Sequence, residues 1–291
     1  MPRPRGGLRR SDAHALALRC DAHIARTSAP RPASSDLSQR FPSRLNQGQT
    51  STCYAHALAA GLFMACGVPW IPSPRALAVA STRLEQGPGG TLRDDGCRLT
   101  TVLDVARQIG TRPMQAPTPD GRCSDVWCSD DVSGLAMPPP PNDCLDLTPA
   151  ELDECRLHEY DCGLTSIDPR LGDAPGLVVD CLTSPLHPAP VLVGTIVGPA
   201  FSGLRPGYVA QPEPAWSVSR GGHALLLVGH RTAADGSVEF KILNSWGEEW
   251  DENGECWVST PWLRACWELH PLTPVPHVPS LFERLRSVMW R

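Results

Sequence analysis

Two hydrophobic periods divide this chain, and their order restricts the fold more than any other feature. Up to residue 110 the apolar residues recur at helical spacing. Leu58, Gly61, Leu62 and Ala65 share one face of a segment that Gly67 and Pro69 close. Residues 72–86 read as a second helix, with Ser73 as its cap and Pro74 in its first turn. Leu99, Val102, Leu103, Ala106 and Ile109 line one face of a third, which Gly110 ends. From Pro190 on the period becomes that of strands. Residues 191–197 and 224–228 are apolar runs, 238–243 alternate, and Asp235-Gly236 and Asn253-Gly254 are turn dipeptides between them. Helices first and an antiparallel sheet afterwards make an α+β arrangement.

The stretch between these parts is different in kind. Residues 113–188 contain the run Pro138-Pro139-Pro140-Pro141 and six cysteines, Cys123, Cys128, Cys144, Cys155, Cys162 and Cys181. Acidic residues outnumber basic ones from 143 to 173, which reads as a solvated face. We read an insertion stapled by some of its own disulfides. Residues 1–36, with seven arginines, read as a flexible N-terminal segment with one short helix around 14–24. Residues 271–279 form a proline-rich linker. A short C-terminal helix follows, with a Ser280–Glu283 capping box and Leu281, Phe282, Leu285, Val288 and Met289 on one face.

Composition excludes several classes. The net charge of −5 argues against general nucleic-acid binding. No apolar run is long enough to span a membrane. Arg3, Arg5, Arg9 and Arg10 are not followed by the apolar run of an ordinary signal peptide. Twelve cysteines nonetheless suggest an oxidising compartment. Either export uses another route or the cysteines are largely reduced. There is no C-x-x-C pair, and the histidines outside the motifs below show no ligand spacing, so neither metal nor cofactor is expected. His56, one turn into the first helix, reads as a packed histidine, and Trp216 and Trp262 as core or cleft-wall residues.

Chemistry concentrates in three stretches. In Gln47-Gly48-Gln49-Thr50-Ser51-Thr52-Cys53-Tyr54-Ala55-His56-Ala57, a polar turn-forming run ends at a cysteine where a helix begins. Helix N-terminal N–H groups and the positive end of the dipole stabilise a thiolate there. A lone cysteine is a weak signal. Two later stretches strengthen it: Gly221-Gly222-His223-Ala224, which opens a strand, and Asn244-Ser245-Trp246-Gly247, which ends one. Cysteine, histidine and asparagine in this order and context resemble the papain-like cysteine proteases. The resemblance covers residues 36–270 apart from much of 113–188. His223 and Asn244 lie 170 and 191 residues beyond Cys53. The family separation is about 130–150, and the insertion accounts for the excess.

The resemblance implies a two-lobed catalytic domain over residues 37–270, a helical lobe facing an antiparallel β half-barrel. It implies Cys53 as nucleophile, His223 as its thiolate–imidazolium partner, and Asn244 as the group that orients the histidine under Trp246. Gln47, six residues before Cys53, takes the place of the oxyanion donor. Gly96, Cys97, Gly221, Gly222, Ala224 and Trp246 take substrate-binding places, with a small pocket near Gly221, Gly222 and Ala224 for an apolar side chain. The implied activity is hydrolysis of peptide bonds, with a peptide or protein as substrate. Several residues depart from the family pattern. Thr50 removes a usual disulfide, and Ser51 and Thr52 add bulk beside the nucleophile. Tyr54 replaces tryptophan, Gly222 replaces aspartate or asparagine, Cys97 replaces the second of two glycines, and Asp251 replaces glycine. Two other functions use the same residues: an inactive binding module, and an acyltransferase working through the same acyl-enzyme.

Overall fold

The structure is a computed structural model that describes residues 8–11, 30–87, 92–114, 150, 155, 166–214 and 221–273. The expected helix at 14–24, the linker from 274 on, the C-terminal helix, Trp216, and Cys123, Cys128, Cys144 and Cys162 lie outside them.

Two strands come from the N-terminal segment: β1 (Leu8–Arg9) and β2 (Ser34–Asp36). Sequence analysis expects a flexible segment over 1–36; within it, these residues pair with the sheet. The helical part follows. Helix α1 (Cys53–Cys66) is buried on nearly all sides from Cys53 to Leu62, as a central helix must be when it is apolar all round. It stops at Gly67, whose φ of 63° is the left-handed conformation that glycine adopts at least cost. Helix α2 (Pro74–Gln86) starts where expected, the Ser73 hydroxyl accepting the Ala76 N–H at 3.0 Å. A two-residue strand, β3 (Cys97–Arg98), runs directly into α3 (Leu99–Gln108).

After α4 (Ala174–Leu182) come β4 (Val191–Val197), the single turn α5 (Pro199–Ser202), β5 (Val209–Ala210), β6 (Gly221–Thr232), β7 (Val238–Leu243), β8 (Glu255–Ser259), the short α6 (Thr260–Arg264) and β9 (Glu268–Pro271). The nine strands of the described residues join one sheet organised on β6. One edge of β6 carries β4 along residues 221–227 and then β2 at 229–231. The other carries β1 at Gly222 and then β7 from Leu226 on, with a register shift between Leu227 and Gly229. His223 thus lies just beyond β1 on the edge where β7 has not yet begun.

The core is continuous from α1 through β4, β6 and β7. Charged groups knit β2 to the sheet. Lys241, the sole lysine, bridges Asp36 at 2.8 Å and Glu255 at 2.5 Å, and Arg44 also pairs with Glu255. Among the described residues the expected disulfides are corrected: none of Cys53, Cys66, Cys97, Cys155, Cys181, Cys256 and Cys266 forms one. Most sit buried in the apolar interior, where a thiol packs as a small hydrophobe. Burial pushes Cys181 and Cys266 up to about 12. Among the described residues no helix is long and apolar enough to cross a membrane.

Candidate active site

Cys53 is the first residue of α1 and is fully buried, with Thr52 at the N-cap. The loop before it is held from several directions. Thr50 Oγ1 donates to Gln47 O at 2.7 Å and lies 2.6 Å from Thr52 Oγ1. Thr52 Oγ1 in turn lies 3.2 Å from His56 Nδ1, so the bulk of this hydroxyl residue turns toward the helix. Both carboxylate oxygens of Asp94 accept the Ser51 N–H, at 3.0 and 2.9 Å. Hydrogen bonds among hydroxyls thus stand where the family pattern has a disulfide.

Gln47 is buried and locked at both ends. Its Nε2 donates to Thr50 O at 2.7 Å and its Oε1 accepts the Ser245 hydroxyl at 2.7 Å. Its backbone N–H donates to Ser245 O at 2.8 Å, and Asn46 bridges Trp246. These bonds tie the segment before Cys53 to the end of β7. An amide NH₂ carries two hydrogens, so one remains for another acceptor.

Asn244 follows β7. Its Oδ1 accepts the Ser245 N–H at 2.8 Å and lies 2.9 Å from His223 Nε2. A backbone N–H can only donate, so the atom facing it is the carbonyl oxygen. Nε2 must therefore carry the proton and donate to it. In a neutral ring Nδ1 then holds the lone pair, and among the described residues it is buried with no hydrogen-bond partner. Burial pushes His223 down to about 4, and the Asn244 bond only partly offsets this.

Trp246 stacks on His223, with ring centroids 4.8 Å apart and planes 30° from parallel. Phe201 of α5 packs between Trp246, Trp250 and Trp262 at 6.0, 5.3 and 5.9 Å, building an apolar wall behind the histidine. The other expected binding residues surround β1. Gly96 O accepts from Arg9 Nη2 at 2.9 Å, Cys97 pairs with Leu8 in parallel, and Gly222 pairs with Leu8 in antiparallel register. Gly221 precedes Gly222 on β6, and Ala224 is buried opposite Gly194 of β4. The Cys97 thiol donates to Glu85 Oε1 at 3.2 Å, and burial together with that carboxylate raises its pKa, so it is no second thiolate.

The fold therefore joins Gln47, Asn244 and His223 in one hydrogen-bonded chain, whose loop leads directly into Cys53. Sequence reasoning missed Ser245, which links Asn244 to Gln47, although it stands inside the Asn-Ser-Trp stretch. It also missed Asp94 and Phe201. Asp94 stands two residues before the expected Gly96; Phe201 had no signal, since its partners are far off in sequence.

This is the papain-like fold of the cysteine proteases, seen in solved structures at low sequence identity. Xylellain, a cysteine protease from Xylella fastidiosa, is 19% identical with a TM-score of 0.67, covering 94% of this chain and 98% of its own. Procathepsin B S9 from Trypanosoma congolense is 14% identical with a TM-score of 0.59, covering 94% of this chain and 87% of its own. Bromelain from Ananas comosus, complexed with E64, is 15% identical with a TM-score of 0.55, covering 83% of this chain and 99% of its own. No protein-family model and no curated protein matches the sequence.

Proposed function

We propose that the chain is a cysteine-type endopeptidase with Cys53 as nucleophile, His223 as base and acid, and Asn244 and Gln47 as their supports. One observation carries this reading. The His223 Nε2–Asn244 Oδ1 bond leaves Nδ1 as the lone-pair nitrogen, in a site that the Gln47 loop ties to the start of α1.

In the proposed reaction Nδ1 takes the Cys53 proton, and the thiolate attacks a peptide carbonyl carbon. The second Gln47 N–H and the Cys53 backbone N–H receive the oxyanion. His223 then protonates the leaving amine, and a thioester remains. Water attacks the thioester carbon, its proton passing to His223, and the acid product leaves as the thiol re-forms. Trp246 and the wall behind it keep water off the His223–Asn244 bond, where it would compete for the Nε2 proton.

Cleavage of denatured casein by the full-length chain tests this reading. Cys53→Ala and His223→Ala should abolish it. Gln47→Ala should lower kcat about 10²–10³-fold with KM little changed, as loss of one oxyanion donor does. Cleavage that survives Cys53→Ala would overturn the assignment.

A further inference from the structure

The peptide group that joins Thr50 to Ser51 is gripped at both ends. Its carbonyl accepts a hydrogen of Gln47 Nε2 at 2.7 Å. Its N–H donates to Asp94, whose two carboxylate oxygens lie 3.0 and 2.9 Å away. Among the described residues no other group accepts that N–H. A peptide group is planar, so its N–H and C=O point in opposite directions and turn together. The Asp94 side chain therefore sets the direction of the carbonyl that holds the Gln47 amide.

That amide is the proposed oxyanion donor, and both of its hydrogens sit on one nitrogen. The hydrogen bonded to Thr50 O fixes where the second one points. Rotation of the Thr50–Ser51 peptide would swing Thr50 O away and free the amide to turn. The other bonds of the loop do not prevent this. Thr50 N and Thr50 Oγ1 both donate to Gln47 O, at 3.2 and 2.7 Å, and hold only the near side of Thr50. Ser245 holds the Gln47 amide by its oxygen alone.

Asp94 stands on a braced backbone. The residue before it has both main-chain groups taken by the last side chain of α2: Gln86 Nε2 donates to Arg93 O at 2.7 Å, and Gln86 Oε1 accepts the Arg93 N–H at 3.0 Å. Two residues after it, Gly96 O accepts from Arg9 Nη2. Asp94 is exposed, whereas Ser51 is buried. Water in place of the carboxylate would satisfy the Ser51 N–H without fixing its direction. The contribution is one of orientation, smaller than that of Gln47 itself.

Resting on the peptidase reading, we infer that Asp94 is a positioning residue of the oxyanion site, acting on Gln47 through the Thr50–Ser51 peptide group.

Kinetics of the full-length chain on fluorescein-labelled casein test it. Asp94→Ala should lower kcat about tenfold with KM little changed, the loss of a charge-assisted hydrogen bond reduced by its exposure. Asp94→Asn keeps an oxygen for the Ser51 N–H and should recover most of that loss. In a Gln47→Ala background Asp94→Ala should cost less than about twofold, because the group it positions is gone. The full loss in that background, or a rise in KM in place of the fall in kcat, would overturn the inference. NMR of the Cys53→Ala chain labelled with 15N-glutamine needs no turnover. Gln47→Ala assigns the Gln47 side-chain NH₂ signals, and Asp94→Ala should shift them in a chain that circular dichroism shows to be folded. Shifted signals with no hydrolysis by the wild type would refute the peptidase reading and keep this one. Hydrolysis with kcat indifferent to Asp94 would do the reverse, and unmoved signals without hydrolysis would refute both.

Discussion

Asn244 Oδ1 accepts two donors, and that one fact decides the state of His223. The histidine itself was legible from its glycine pair and following strand, and the asparagine from its tryptophan. The direction of every proton between them was not, because it depends on Ser245 presenting its N–H. His56 illustrates a second residue-scale effect. Its Nδ1 lies 3.0 Å from Thr52 O, so it braces the residue before Cys53. Burial pushes its pKa down to about 4, the Thr52 carbonyl offsetting only part of the shift. An unfolded histidine titrates near 6.5. Between about pH 6.5 and 4 the unfolded chain therefore holds a proton on residue 56 that the folded chain refuses, and stability falls as pH drops. The contribution is fully lost below about pH 4 and amounts to roughly 3 kcal/mol. His223 acts with the same sign over the same window. We expect His56→Gln to reduce the fall in Tm between about pH 7 and 4 by several degrees. Parallel Tm–pH curves for variant and wild type would contradict this assignment. Asp251 shows what a departure from the family pattern does: with glycine replaced, the backbone still takes a φ of 46°, which aspartate tolerates better than most residues.

At the scale of elements, long patterned segments were legible and short ones were not. Helices α2 and α3 and strands β4 and β7 carry enough periodic residues to read. Strands β1, β2, β5 and β9 have two to four residues each, too few to show a period. They exist because β6, β8 and β4 present unpaired edges to them. For the same reason β6 runs well past the apolar core of 224–228. β1 is the consequential case. Among the described residues β1 is held by two residues of pairing, the Arg9 contacts with Glu85 and Gly96, and Ser11 between Glu268 and the Thr100 N–H. Short, lightly held elements open first. A carboxylate at position 8 would be buried beside the Glu268 carboxylate and expel the strand. Leu8→Asp should therefore raise kcat/KM of the full-length chain about tenfold on any peptide substrate. Unchanged activity would mean that β1 does not obstruct the groove.

Across the whole molecule, the two hydrophobic periods fold as two parts, joined where Asn46 and Gln47 meet Ser245 and Trp246 and where β1 links β3 to β6. The division into helical and sheet parts was readable because each part keeps one period over many residues. Cysteine pairing was not, because composition counts thiols without placing them, and the seven described ones are separated within the fold. Glu268 was equally invisible: it belongs to no motif, and only β9 lying against β4 brings it beside Gly194. The central claim is that Cys53 is activated by His223, itself held by Asn244. Its most direct test is mass spectrometry of the full-length chain after reaction with a peptidyl epoxide, on Leu8→Asp with and without His223→Ala. The account predicts a single adduct, on Cys53, that His223→Ala removes. No adduct on Cys53 in a protein that circular dichroism shows to be folded, or an adduct indifferent to His223, would contradict it.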